Sequence, residues 1–112
     1  MNPTQSSNHS TDFVAERRLR YCAKGSDERI DLVVRVGAPF VVEEGTVDFP
    51  VDGEISGCCV EIIGLPKEVR EITYGADQIQ ALQLAINIDP LLKRFENRFD
   101  FFFYTGEPYF ED

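Results

Sequence analysis

A chain of 112 residues, 43% hydrophobic and 12% aromatic, has the length of one domain and too much apolar content to stay disordered. Its formal charge of −9 and pI near 4.5 exclude binding nucleic acid or an anionic membrane through a basic face, and no apolar run reaches the length of a bilayer span. Three cysteines, two of them adjacent (Cys22, Cys58, Cys59), do not make a secreted disulfide framework, so a cytoplasmic location is the expectation.

The charge is unevenly placed. Residues 36–66 hold Glu43, Glu44, Asp48, Asp52, Glu54 and Glu61 with no Lys or Arg, and residues 99–112 hold Asp100, Glu107, Glu111 and Asp112, again with no base. These segments carry −6 and −4, and the remainder is +1.

Residues 1–12, rich in Asn, Ser and Thr, read as a disordered leader, and residues 13–112 as a single α+β domain. Residues 13–37 read as a β-hairpin closed at Gly25-Ser26, a pair suited to a two-residue type II′ turn. That closure sets Tyr21 opposite Ile30, Leu19 opposite Leu32 and Ala15 opposite Val36 on one face. On the other face it opposes Arg20 to Asp31 and Glu16 to Arg35. Apolar against apolar and acid against base is what a correct register produces, and a one-residue slip breaks both sets. Residues 38–54 read as a long acidic connection with a short strand at 40–42 or 47–49. Residues 55–63 read as a strand turning Cys58, Val60 and Ile62 to the core, and 69–74 as a further short strand.

The helix is the clearest element. Asp77 followed by Gln80 resembles a capping box, and 78–88 is rich in helix formers. Asp89-Pro90 marks a kink or restart, with Asp89 capping a second piece over 91–97. Ile79, Ala81, Leu82, Leu84, Ala85, Ile86 and Ile88 take up most of the circumference, and the polar stripe of Gln80, Gln83 and Asn87 is uncharged. That pattern implies cover on two sides, by the sheet and by either the aromatic tail or a second subunit. The tail itself, with Phe101-Phe102-Phe103-Tyr104, reads as a core strand over 99–104, with Asp100 and Glu107 as gatekeepers against aggregation. The fold expected is an antiparallel sheet of about four to five strands with one main, kinked helix on one face.

The stretch from Tyr74 to Ile86 (YGADQIQALQLAI), with Ala15-Glu16-Arg17-Arg18-Leu19 and the segment from Cys59 to Leu65, resembles a small bacterial family classed as a domain of unknown function. In that family a Glu-Arg strand, a Pro, a Trp-x-Cys strand and a Gly-x-Asp-x-x-Gln-Ala-Leu-x-Leu-Ala helix recur in that order. The resemblance covers most of residues 13–88, and Gly57 stands where the family tends to have Trp. It implies a bacterial origin and an α+β build, and brings no activity and no catalytic residues.

Chemistry is sparse. The only histidine is His9, in the leader, and a catalytic Ser-His or Cys-His pair needs a histidine on the domain. Adjacent cysteines without a Cys-x-x-Cys spacing do not make a zinc site. Asp48-x-Pro50-x-Asp52-Gly53 echoes a calcium loop but places Pro at the third position and Cys59 at the twelfth. The reading is a non-enzyme without cofactor or metal. Its primary form is a protein-binding module engaging a basic partner through Glu43, Glu44, Asp48 and Asp52, by analogy with immunity proteins or nucleic-acid charge mimics. The alternative is a small-ligand domain with a pocket between sheet and helix, where Arg17, Gln80 and Gln83 supply polarity. A homodimer through the helix or the aromatic tail is compatible with both.

Overall fold

The computed structural model describes residues 13–43 and 54–110. The strands are β1 (Phe13–Ala23), β2 (Ile30–Gly37), β3 (Phe40–Val42), β4 (Ile55–Ile63), β5 (Val69–Gly75) and β6 (Phe99–Phe103), with helices α1 (Gln78–Ile86) and α2 (Asp89–Lys93) between β5 and β6. All pairings are antiparallel. Six strands replace the expected four to five, and two short helices replace one kinked helix. The α+β build stands.

The β1–β2 register is the one that side-chain pairing dictates, from Ala15↔Val36 through Tyr21↔Ile30. The turn differs from the expectation. Ser26 N–H donates to Ala23 O at 3.0 Å, so the turn centres on Lys24-Gly25, and Gly25 sits at φ +84° at the third turn position, where a positive φ favours glycine. The end of β1 continues past the hairpin and pairs with β6, Leu19↔Phe103 to Ala23↔Phe99.

Strands β2 and β3 lie end to end along one edge of β4. Val33–Val36 pair with Val60–Ile63, and Phe40–Val42 pair with Ile55–Gly57, with the register stepping by one residue across Ala38-Pro39. Proline has no N–H for a ladder, so the pairing breaks where Pro39 stands. The other edge of β4 carries β5, Ser56↔Gly75 to Ile62↔Val69. The ladder therefore runs β5, β4, β2 with β3, β1, β6.

Alternation along each strand gives the sheet two different faces. The helix face carries Leu19, Tyr21, Leu32, Val34, Val36, Cys58, Val60, Ile62, Phe99 and Phe101, which pack with Ala81, Ala85, Ile88, Leu91 and Leu92 in one core. The opposite face carries a lateral row, Glu16↔Arg35↔Glu61↔Arg70, across four strands. Glu16 meets Arg35 at 3.4 Å and Arg18 at 3.2 Å, and Arg70 meets Glu61 at 3.3 Å. The Arg35 Nε contact with Glu16 is an ion pair without hydrogen-bond alignment, which leaves that buried N–H without an acceptor. Exposed pairs contribute about 0.2–1 kcal/mol each, so this row fixes register more than it adds stability.

The strand-to-helix junction explains α1. Asp77 caps it, accepting from Gln80 N–H at 2.8 Å, while Gln80 Oε1 accepts from Ala76 N–H at 2.6 Å. Ala81 is fully buried, and Thr73 Oγ1 donates to its carbonyl at 2.9 Å. A Cβ on Gly75 would stand 2.6 Å from Ala81 N, so only glycine lets the helix lie this close to β5. Asp89 does not cap α2: Ile88 holds that position without a side-chain bond. Within the chain the aromatic tail does not give α1 its second cover. Ile79, Leu84 and Ile86 are 70%, 49% and 54% exposed, because the aromatic tail adds to the sheet as β6 and leaves the helix uncovered.

Candidate functional site

The expected site residues divide among three places. Glu44, Asp48 and Asp52 lie outside the described residues. Glu43 follows the end of β3 and Glu54 precedes β4, so the base-free connection leaves and re-enters the sheet at one end, the end at which β5 gives way to α1. A hollow of about 300 Å³ lies there, lined by Val41, Glu54, Ser56, Asp77, Gln78 and Ile79. Among the described residues it is lined by two carboxylates and no base. Val41 (47% exposed) and Ile79 offer exposed apolar surface beside them. Asp77 commits Oδ1 to the α1 cap. Val41 and Ile79 were not read as site residues from the sequence, although a β-branched residue two positions after Pro39 and an isoleucine in the first helical turn are the available signals.

Arg17 lies on the helix face of β1, as its position between Ala15 and Leu19 requires. Its head reaches the edge of the domain. Nη1 donates to Tyr109 Oη at 2.7 Å, and Tyr109 donates in turn to Asp89 Oδ1 at 2.6 Å. The guanidinium thus meets a protein carboxylate through a tyrosine. Burial and the Asp89 carboxylate push the Tyr109 phenol up, and Arg17 pulls it back. The adjoining slot, about 120 Å³, is walled by Ala15, Val34, Val36, Ile86 and Ile88. Gln80 is held in the helix cap, and Gln83 is exposed on α1.

A larger groove of about 410 Å³ runs between β5 and the helices. Val60, Ala85, Ile88 and Leu91 form its floor, and Thr73, Leu84, Asn87 and Arg94 stand around it. Arg94 clamps Glu71 with both terminal nitrogens, one at 2.7 Å. Those hydrogen bonds hold the Glu71 carboxyl below the usual carboxylate range.

Cys58 and Cys59 face opposite sides of β4, and both are buried. Cys58 Sγ lies 3.1 Å from Gly37 O, to which it donates. Burial pushes both thiols up, with Arg70 opposing the rise at Cys59. Neither has the electropositive, accessible setting of a reactive cysteine. A side chain on Gly57 would meet the Phe40 ring at 2.8 Å, so that ring fills the space beside the Gly57 backbone. Among the described residues no group of three or more His, Cys, Asp or Glu side chains is placed to hold a metal, and no helix is long and apolar enough to cross a membrane. No family model, curated protein or solved structure matches the chain.

Proposed function

We propose that this chain is a non-catalytic binding module whose acidic end engages a basic partner protein. The observation that carries the reading is the hollow beside Glu54 and Asp77, where carboxylates without a base flank Val41 and Ile79. Apolar side chains supply contact energy once desolvated, and unpaired carboxylates steer a basic surface toward them. The segment attached at this end adds Glu44, Asp48 and Asp52 in sequence. The small-ligand alternative has less in its favour. The Arg17 slot is below the ~300–1,000 Å³ of ordinary ligand sites, Gln80 is spent on the helix cap, and the groove of about 410 Å³ between β5 and the helices holds neither Arg17 nor Gln80 and has its Glu71–Arg94 pair closed on itself.

The test is affinity capture with the native chain and with Glu43, Glu44, Asp48, Asp52 and Glu54 reversed to Lys. A basic protein is retained by the native chain, released by raised salt and lost on reversal. Reversal of Asp27 and Glu28, in the β1–β2 loop, leaves capture intact. Capture that survives reversal at the acidic end sinks the reading.

A further inference from the structure

Arg17 differs from the other arginines of the sheet. Arg18, Arg20, Arg35 and Arg70 each meet a carboxylate. Among the described residues Arg17 forms no ion pair, and its one hydrogen bond runs from Nη1 to Tyr109 Oη at 2.7 Å. The rest of its fork has no protein acceptor there. Two parallel N–H bonds to one carboxylate are the arrangement a guanidinium favours.

The slot beside Arg17 supplies the other half of a site. Val34, Val36 and Ile88 are buried and form its floor, and Ala15 and Ile86 are exposed at its rim. All five are apolar. Glu16 also borders the slot, but strand alternation turns its carboxylate to the opposite face, where Arg18 and Arg35 hold it. Asp89 lies beyond Tyr109 and accepts the phenol's hydrogen bond at 2.6 Å. The chemistry is therefore one cation at the mouth and hydrocarbon within. Size narrows it further. An apolar cavity of about 150 Å³ takes a benzene-sized molecule, so the slot, about 120 Å³, takes roughly four to five carbons.

We infer that this slot binds a short-chain aliphatic monocarboxylate. The carboxylate lies on the free side of the Arg17 fork, and a tail of roughly four carbons lies against Val34, Val36 and Ile88. Tyr109 is a positioning residue, since its hydroxyl bonds the guanidinium and its ring centroid lies 5.8 Å from Arg17 Cζ. The volume that excludes larger ligands is what selects this one by length. The slot shares no lining residue with the acidic hollow, so the two sites stand or fall separately.

Titration of butyrate, pentanoate, hexanoate and octanoate into the full chain, followed by amide chemical shifts, reads the proposal directly. Saturable shifts are expected at Ala15, Val34 and Ile86. Affinity should rise about fourfold per added methylene until the slot is full and be level by octanoate. Pentanol, with the same tail and no charge, should bind about tenfold more weakly or worse, and Arg17→Gln should cost pentanoate the same. Ala15→Leu fills the slot from its exposed rim and should abolish the pentanoate shifts with Arg17 in place, while urea unfolding shows both variants folded. Absence of saturable shifts, an affinity still climbing through octanoate, pentanol equal to pentanoate, or native binding by Ala15→Leu overturns the inference.

Discussion

Gly75 and Gly57 lie on neighbouring strands and are both tightly packed, yet alanine should be tolerated at only one of them. At Gly57 an added Cβ meets Phe40 Cζ at 2.8 Å and Ile72 Cγ2 at 3.2 Å. Both obstacles are side-chain atoms, and the Phe40 ring is half-buried and able to turn. At Gly75 the obstacle is backbone, Ala81 N at 2.6 Å and Gln80 C at 3.0 Å. Ordinary contact begins near 3.4 Å, so α1 must move away from β5 by close to an ångström. That shift strains the Thr73–Ala81 hydrogen bond and the Asp77 cap with it. Overpacking costs about 1–3 kcal/mol, and replacing Gly by Ala returns about 0.4–1 kcal/mol by restricting the unfolded chain. Gly57→Ala therefore nets near zero, whereas Gly75→Ala loses roughly 2 kcal/mol. At about 4–8 °C per kcal/mol for a domain this size, the Gly75 variant melts roughly 8–16 °C lower. Thermal and urea unfolding of the two variants side by side measures the difference. Equal stability of the two would refute the reasoning that the junction requires a bare backbone.

Asp77→Ala should cost about 0.5–2 kcal/mol in urea unfolding, with Asp77→Asn recovering most of it, because the side chain caps α1. Leu92, fully buried under the sheet, should lose about 2–5 kcal/mol as alanine, measured the same way. The Glu71 carboxyl is depressed chiefly by its hydrogen bonds to Arg94. Its contribution is therefore complete above the unfolded carboxyl value of 4.5 and fades as pH falls from there through the lower folded value. Arg94→Ala should flatten that acid limb in urea midpoints taken from pH 6 to 3. Cys58 and Cys59 should resist a disulfide reagent at pH 8 in the native chain and react at once in denaturant. Rapid native labelling of either would contradict their burial.

How much of this was legible depended on whether the determining contact was local. The β1–β2 register could be read because each face specified it independently, through Leu19/Leu32 and through Glu16/Arg35. The turn could not, since Gly25 suits either of two turn frames and the choice is made by β6, which pairs with the end of β1 from far along the chain. The Asp77 cap was visible at a spacing of three residues. Asp89 looked like a second cap, but its carboxylate is taken by the Tyr109 hydroxyl twenty residues on. The helix misled for another reason. Counting apolar positions spread them over most of the circumference without choosing a core face, whereas close approach to Gly75 and Thr73 selects the small ones. Ala81 and Ala85 go inside and Ile79, Leu84 and Ile86 remain out.

The same distinction bears on the charge. Of the acids in the two base-free segments, Glu61 lies in the lateral row against Arg70 and Asp100 meets Lys24 at 2.6 Å. Those two belong to the framework, and charge reversal there tests folding, not recognition. All eleven bases fall among the described residues, where fourteen of the twenty acids face them. The framework is thus close to balanced, and most of the −9 lies outside it. Three of the acids in that excess, Glu44, Asp48 and Asp52, belong to the connection that joins the sheet between Glu43 and Glu54. On the proposed function it is this excess, joined to the sheet beside exposed Val41 and Ile79, that a basic partner meets. Raised salt should therefore weaken capture of a basic partner, because the charges that steer it are screened.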